Sequence, residues 1–298
     1  MKWQGVVPAI TTPFKPDLSV DADLLHRQID ALVGAGCTGI VALGSLGEGG
    51  SLSFDEKKAV LRLCGEALAG RASLVAGVAA MTTGEAVRLA ELGRETGCDG
   101  LMVLPPYVYR GDWRETEAHF ATVIRSTPLP CMLYNNPIAY GTDVLPDQVQ
   151  ALAAAHPNLA AVKESSGDVR RVTALRTLLG DRLALFVGID DLVLEGIQAG
   201  AVGWIGGLTD ALPAEGVRLF DLGVAGRIEE ARVLYDWFLP LLRLDTLPKF
   251  VQLIKLVQQE TGLGSEIVRP PRLPLAGAER AEALRLVRDA LARRPVAG

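Results

Sequence analysis

Short apolar runs alternate with amphipathic stretches through the first 212 residues of this chain. Runs of strand length, rich in Val, Ile, Leu and Ala, lie at 6–11, 39–43, 73–79, 100–104, 130–134, 159–163, 184–187 and 201–206. Between them, apolar positions recur at the spacing of a helix with one buried face. That spacing predicts helices at 53–68, 83–97, 112–125, 146–155, 168–179 and 191–199. An earlier helix, which Asp21 or Asp23 can cap, reaches about Ala35, and Asp168 can cap the helix after the sixth run. Beyond Leu212 the pattern is helical to the end, with breaks predicted at Pro240, at 262–264 and at Pro270-Pro271.

Eight βα units in a little over 200 residues have the count and length of a (β/α)8 barrel. The expected fold class is therefore α/β: a TIM barrel over residues 1–212, with a C-terminal helical extension over 213–298 packed on it. A doubly wound open sheet is the alternative. The first βα turn, Thr11-Thr12-Pro13-Phe14, lacks the glycine fingerprint expected of that architecture. No Pro/Gly/Ser linker, low-complexity stretch or charge block marks an independent second domain.

Composition narrows the function. A hydrophobic fraction of 49% with 22% charged residues describes a soluble globular protein with ample core. A net charge of −5 argues against general affinity for nucleic acid or anionic membranes. No apolar run is long enough to span a bilayer, and the N-terminus passes straight into a strand without a signal peptide, so a cytoplasmic protein is expected. Cys37, Cys64, Cys98 and Cys131 are widely spaced without a CxxC pair, and His26, His119 and His156 are isolated. Neither a disulfide framework nor a metal site is expected, and no cofactor is called for.

The strand ends carry the candidate chemistry, because barrel enzymes work at the C-terminal ends of their strands. The sixth run ends on Lys163, in Leu159-Ala160-Ala161-Val162-Lys163-Glu164. Of the seven lysines, Lys2, Lys15, Lys57 and Lys58 have polar or terminal surroundings, and Lys249 and Lys255 lie in a helical pattern where their stems can reach water. Only Lys163 closes an apolar strand. Burial there would disfavour its charged form and leave the amine a nucleophile toward carbonyl carbon. A strand-end lysine that snorkels to solvent is the alternative, and this stretch alone does not choose between them.

Tyr134 ends the neighbouring strand, so a phenol and an amine can share one cavity, as proton relay during imine formation requires. The turn Gly44-Ser45-Leu46-Gly47-Glu48-Gly49 can aim backbone N–H groups and the Ser45 hydroxyl at a carboxylate, although a plain tight turn explains its glycines as well. Glu48 is read as fixing that turn by hydrogen bonds rather than as a catalytic group. Gly206 and Gly207 are read as allowing close approach of backbone to ligand, ahead of phosphate binding.

Taken together, Pro8-Ala9-Ile10-Thr11-Thr12-Pro13-Phe14, Gly44-Ser45-Leu46-Gly47-Glu48, Tyr134-Asn135-Asn136-Pro137 and Val162-Lys163-Glu164-Ser165-Ser166-Gly167-Asp168 resemble the dihydrodipicolinate synthase / N-acetylneuraminate lyase family over nearly the whole chain. The resemblance implies a TIM barrel with a helical extension, a homo-oligomer (tetramer or dimer), and a Schiff base between lysine and a small-molecule 2-oxo acid. It implies Lys163 as the Schiff-base lysine, Tyr134 as proton relay, Ser45 completing the relay, and Tyr107 as a tyrosine lent across a subunit contact in some members. It further implies Ser45 and Leu46 backbone at the substrate carboxylate, an Ile205 carbonyl toward substrate, and Gly188, Asp190 and Asp191 near distal hydroxyls.

Departures bear on the substrate. The synthases of this family carry an arginine soon after the tyrosine motif, where this chain has Ala139, in Ile138-Ala139-Tyr140-Gly141. A second substrate carboxylate then lacks its charge-assisted partner. Leu46 replaces a second hydroxyl, which makes a polyhydroxylated substrate less well suited. The Gly-Ser-Leu-Gly-Glu-Gly turn, with Leu244-Asp245-Thr246 and Ile254-Lys255-Leu256, resembles most the branch that deaminates 1-pyrroline-4-hydroxy-2-carboxylate, a step of hydroxyproline catabolism. The alternatives are an aldolase or dehydratase of a 2-keto-3-deoxy sugar acid or 4-hydroxy-2-oxoglutarate, a dihydrodipicolinate synthase, and a non-catalytic barrel that binds an oxo acid.

Overall fold

The eight apolar runs form eight parallel strands: β1 (Gly5–Val6), β2 (Gly39–Ala42), β3 (Ser73–Val78), β4 (Gly100–Val103), β5 (Cys131–Asn135), β6 (Leu159–Glu164), β7 (Ala184–Val187) and β8 (Gly203–Trp204). The structure, a computed structural model, describes residues 2–295. Strands are hydrogen-bonded in the order β1-β8-β7-β6-β5-β4-β3-β2. The ring closes beyond β1, where the Val41 N–H donates to Pro8 O at 2.8 Å and the Ile10 N–H donates to Val41 O at 3.0 Å. The protein is a (β/α)8 TIM barrel, as the alternation predicts, and not an open sheet.

The ladder of β1 is shorter than the apolar run because Pro8 has no N–H to donate. Val7 and Ala9 instead donate to Trp204 O and Gly206 O, so the segment stays extended to Thr11 while its bonds alternate between two neighbours. Between β5 and β6 the register shifts at Cys131/Met132, and Tyr134 then pairs with Lys163 and Asn135 with Glu164. The two residues singled out at adjacent strand ends are therefore cross-strand neighbours.

The helices between strands are α1 (Ala22–Gly34), α2 (Phe54–Leu68), α3 (Thr83–Glu95), α4 (Trp113–Arg125), α5 (Pro137–Tyr140), α6 (Pro146–Ala155), α7 (Arg170–Leu179) and α8 (Val193–Gln198). Their starts follow from capping chemistry. Asp21, not Asp23, caps α1 by accepting the Leu24 N–H at 3.0 Å, and Ser53 with Glu56 forms a capping box on α2. Asp168 sits one residue outside the cap position of α7, where it accepts the Arg170 N–H at 3.1 Å and pairs with the Arg170 guanidinium.

After β8 the chain forms α9 (Pro213–Val224), α10 (Ile228–Leu242), α11 (Phe250–Glu260) and α12 (Gly277–Ala292). Helix α9 packs on β1 and touches both α1 and α8, so it closes the outer ring of the barrel. Division at residue 212 assigns it to the extension. Its contacts run both ways, to β1, α1 and α8 of the barrel and to α10 of the extension. Pro240 does not break α10, because it falls in the last turn, where its missing N–H costs one hydrogen bond near an end that comes at Leu242 anyway.

Helix α11 is buried on every side from Val251 to Gln258, and Lys255 within it is 1% exposed. This corrects the expectation that its stem reaches water. The Lys255 ammonium donates to Glu48 Oε1 at 2.6 Å, to Thr12 O at 2.8 Å and to Ile267 O at 2.7 Å, and it lies 4.4 Å from the centre of the Phe14 ring. Burial lowers its pKa, against the opposing pull of Glu48. The extension is thus bolted to the turns that follow β1 and β2.

Candidate active site

Lys163 lies at the C-terminal end of β6, 6% exposed, in the wall of a cavity of about 770 Å³. Its Nζ stands 4.2 Å from the centre of the Tyr134 ring. The stem passes over the backbone at Gly188. A Cβ at that position would lie 2.5 Å from Lys163 Cε and 2.8 Å from its Cγ, and would also strike Ser165 Oγ. Glycine at the end of β7 is therefore a condition for the path of the lysine. Gly188→Ala is expected to destabilise the fold by about 1–3 kcal/mol through overpacking and to displace the amine. A lowered urea midpoint, together with slower labelling of Lys163 by pyruvate and borohydride, would register both effects. An unchanged pair of measurements would refute this packing argument.

Three phenols and one hydroxyl gather beside the amine. Ser45 Oγ is 2.5 Å from Tyr140 Oη and 3.2 Å from Tyr107 Oη. Tyr107 and Tyr140 stack with centroids 5.4 Å apart, and Tyr140 meets Tyr134 edge-on at 5.7 Å. Tyr134 Oη accepts a hydrogen bond from Asn136 Nδ2 at 3.0 Å. Burial pushes the phenols of Tyr107 and Tyr140 above their usual range, so both are held as neutral donors. Tyr107 reaches Ser45 within its own chain, on a loop pinned by its N–H to Ala80 O at 3.1 Å.

Tyr140 was passed over in the sequence, yet its place is set by local signals. Asn136 accepts the Ala139 N–H at 2.9 Å, Pro137 occupies the first helical position, and Gly141 stops the helix at φ 71°. An Asn cap, a Pro start and a Gly stop describe a one-turn helix, α5, which carries Tyr140 to the Tyr134 ring and Ser45 in the cavity wall. Ala139 of the same turn lines the cavity with a methyl group where the family resemblance calls for a cation.

Across the barrel, the turn after β2 enters at Leu43 with φ 64° and leaves at Glu48 with φ 52°. A Cβ at Gly49 would overlap Leu43 O, so this position has room only for glycine. Thr12 Oγ1 donates to Gly47 O at 2.7 Å and the Arg269 N–H donates to Glu48 Oε2 at 3.0 Å. Glu48 is thus a turn-fixing group. Among the described residues, the N–H groups of Ser45 and Leu46 donate to no protein acceptor, and both residues line the cavity. A nest of free N–H groups beside a serine hydroxyl can take a carboxylate.

The remaining candidates divide. Gly188 and Asp191 line the cavity, and Asp191 pairs with Arg243 at 3.5 Å. Asp190 is not among the cavity's lining residues. It is fully buried, accepting from Leu208 N at 2.8 Å, Gly207 N at 3.1 Å and Trp204 Nε1 at 3.1 Å, and so it ties the end of β7 to the end of β8. Its oxygens, expected near substrate hydroxyls, are instead met by three protein donors, and the residue does not line the cavity. Ile205 is buried outside the cavity lining, although its carbonyl accepts no hydrogen bond among the described residues. Gly206 and Gly207 make room for carboxylates: a Cβ at Gly206 would lie 2.5 Å from Asp190 Oδ1, and one at Gly207, which also lines the cavity, would collide with Asp245 Oδ1.

The extension supplies the rest of the cavity wall through Asp245, Leu247, Phe250 and Arg272, none of which the strand-end reading reaches. Asp245 sits in the short turn Arg243–Thr246 that follows α10. Among the described residues there is no group of three or more His, Cys, Asp or Glu side chains placed to hold a metal, and no helix is long and apolar enough to cross a membrane.

A closed parallel barrel thus holds a lysine, a phenol cluster and an anion-ready turn around one cavity. The profile of the dihydrodipicolinate synthetase family matches residues 2–290. The chain belongs to that family. It is 35% identical over 302 aligned positions, 98% of this chain and 96% of the relative, to a 4-hydroxy-tetrahydrodipicolinate synthase of Xanthomonas campestris pv. campestris. The 4-hydroxy-tetrahydrodipicolinate synthase structure from Methylacidiphilum fumariolicum SolV superposes with a TM-score of 0.92 at 30% identity, covering 98% of both chains. A chloride-inhibited dihydrodipicolinate synthase from Acinetobacter baumannii, solved with pyruvate, gives 0.92 at 28% identity, covering 97% of this chain and 99% of that one.

Proposed function

We propose that the protein is a Schiff-base-forming lyase and deaminase of a 2-oxo or cyclic 2-imino acid, with 1-pyrroline-4-hydroxy-2-carboxylate as the best substrate. The observation that carries this reading is the Lys163 amine, nearly buried over the Tyr134 ring and facing one cavity with the free N–H groups of the Ser45–Leu46 turn. A relative crystallised with pyruvate supports an oxo-acid site. Ala139, together with Asp191 and Asp245 in the cavity wall, supports a substrate whose distal end carries a hydroxyl or amine rather than a second carboxylate, since Arg272, the wall's cation besides Lys163 among the described residues, is turned to Glu48 at 3.8 Å.

The chemistry follows from that placement. The substrate carboxylate rests on the N–H groups of the β2 turn while the Lys163 nitrogen adds to C2. The ring C2–N bond breaks as a proton reaches the departing nitrogen, which leaves an open-chain imine on Lys163. Removal of a C3 proton then feeds electrons through C3–C4 and expels the C4 hydroxyl as water. The resulting conjugated amine tautomerises to an imine at C5. Two waters hydrolyse the C5 imine and the lysine imine, releasing ammonia and 2-oxoglutarate semialdehyde. Tyr134, with Tyr140, Ser45 and Tyr107 behind it, moves the protons at C2 and C3.

The names of the curated relatives favour a second reading, condensation of pyruvate with aspartate semialdehyde. A product panel separates the two readings, and an aldolase as well. Ammonia from the cyclic imine, with no pyruvate released and no condensation product, is the expected outcome. Predominant consumption of aspartate semialdehyde with pyruvate would replace the deaminase by the synthase, and pyruvate release from a sugar acid would replace it by an aldolase.

A further inference from the structure

We infer that Asp245 is a catalytic residue of this site, the acid that gives its proton to the C4 hydroxyl as that group leaves. The inference rests on the deaminase reading and adds the one proton donor that reading lacks, since the phenol cluster serves the other side of the lysine. Tyr134 stands on β5, next to β6 in the sheet, whereas Asp245 projects from the extension over the end of β8. Lys163, on β6, lies between them in the ring order. A substrate fixed at C2 by the lysine and at its carboxylate by the β2 turn has one remaining end to place, and that end carries the leaving hydroxyl.

The side chain is built for the cavity and for nothing else within reach. Residue 207 must be glycine for the Asp245 carboxyl to stand where it does. Among the described residues the carboxyl accepts no hydrogen bond and joins no ion pair. Its two acidic neighbours, by contrast, are engaged: Asp190 by three donors and Asp191 by Arg243. The charged groups around it are Lys163 on β6, Asp190 and Asp191 after β7, and Arg243 on its own turn. Burial is the largest influence and pushes the carboxyl up to about 6; Lys163 pulls it down and Asp191 pushes it further up. A carboxyl with that balance keeps a share of its protonated form near neutrality, as a general acid must.

The step balances. The C3 proton is taken off on the Tyr134 side and carried away by the phenol–Ser45 cluster, the C3–H electron pair becomes part of the new C3=C4 bond, the C4–O bond breaks, and the oxygen leaves as water with the proton of Asp245. The carboxylate left behind recovers a proton from solvent at the mouth of the cavity.

Asp245→Asn keeps shape and hydrogen-bonding capacity but has no proton to give. It is expected to lower kcat for ammonia release from the cyclic imine by about 100-fold or more, the usual scale of a positioned acid. Trapping of pyruvate on Lys163 by borohydride should change far less than kcat, because pyruvate has no leaving hydroxyl and only the charge beside the amine is altered. The decline of kcat as pH rises through about 6 should vanish in Asp245→Asn and persist in Asp245→Glu, which retains an acid on a longer stem. Undiminished kcat in Asp245→Asn, or pyruvate trapping that falls in parallel with kcat, would overturn the inference; the latter would mean that Asp245 merely positions the lysine. If the parent protein releases no ammonia from the cyclic imine, the deaminase reading fails and takes this one with it. Normal ammonia release by both parent and Asp245→Asn would remove only the role of Asp245.

Discussion

Replacing Lys163 by arginine is expected to abolish both turnover and covalent trapping. Arginine keeps a positive charge on a stem of similar reach, so packing against Gly188 and the Tyr134 ring changes little. Its guanidinium does not deprotonate in a protein and cannot add to C2. A positioned acid or base supplies about 10²–10⁴ in rate, and removal of the nucleophile closes the covalent route that those groups serve. A fall of about 10³-fold or more is expected, with no borohydride-stable mass increase from pyruvate. Mass spectrometry of the parent and of Lys163→Arg reads the adduct directly. Turnover that survives in Lys163→Arg would end the Schiff-base reading. A parent protein that is never trapped would point to a barrel that binds an oxo acid without converting it.

The strand ends were legible in the sequence for a physical reason. Each inner strand is buried on both faces, so its apolar run stands out against amphipathic neighbours, and in β5 and β6 the residues that close the runs, Tyr134 and Lys163, line the cavity. Lys163, Tyr134 and the Gly44–Gly49 turn were found in that way. What stayed hidden depends on contacts distant in the chain. Asp190 could not be told from a ligand-binding carboxylate until the N–H groups of Gly207 and Leu208 were seen to occupy it. Asp245 and Arg272 reach the cavity only because the extension folds back across the barrel mouth.

Two features carry local sequence signals of their own. The cap, start and stop residues of α5 were all present in Asn136-Pro137-Ile138-Ala139-Tyr140-Gly141, and a one-turn helix is overlooked when only the 3.6-residue period is sought. A helical pattern by itself suggests a Lys255 stem that reaches water. Its flanks, Phe250-Val251-Gln252-Leu253-Ile254 before and Leu256-Val257 after, surround that helix with apolar residues, which marks one buried on every side. A lysine there needs a partner, and none is near in sequence; Glu48 comes from the turn after β2.

That distant pair should dominate stability. Lys255→Met fills a similar volume but leaves the carboxylate of Glu48, wholly buried, without its closest cation, while Arg272 remains 3.8 Å away. Breaking a buried pair from one side costs about 3–5 kcal/mol, because the surviving charge keeps its desolvation penalty. The urea midpoint of Lys255→Met should fall accordingly with the slope unchanged. Adding Glu48→Gln removes the stranded charge while keeping an acceptor for the Arg269 N–H, so the double variant should recover much of the loss. The two changes should then be non-additive by about 0.5–3 kcal/mol, as expected for residues in contact. Function should follow the turn: with Glu48 unsettled, the N–H groups of Ser45 and Leu46 lose their fixed aim, and KM should rise in Lys255→Met before kcat changes. A loss below about 1 kcal/mol in Lys255→Met, the scale of a surface ion pair, would mean that water reaches this ammonium.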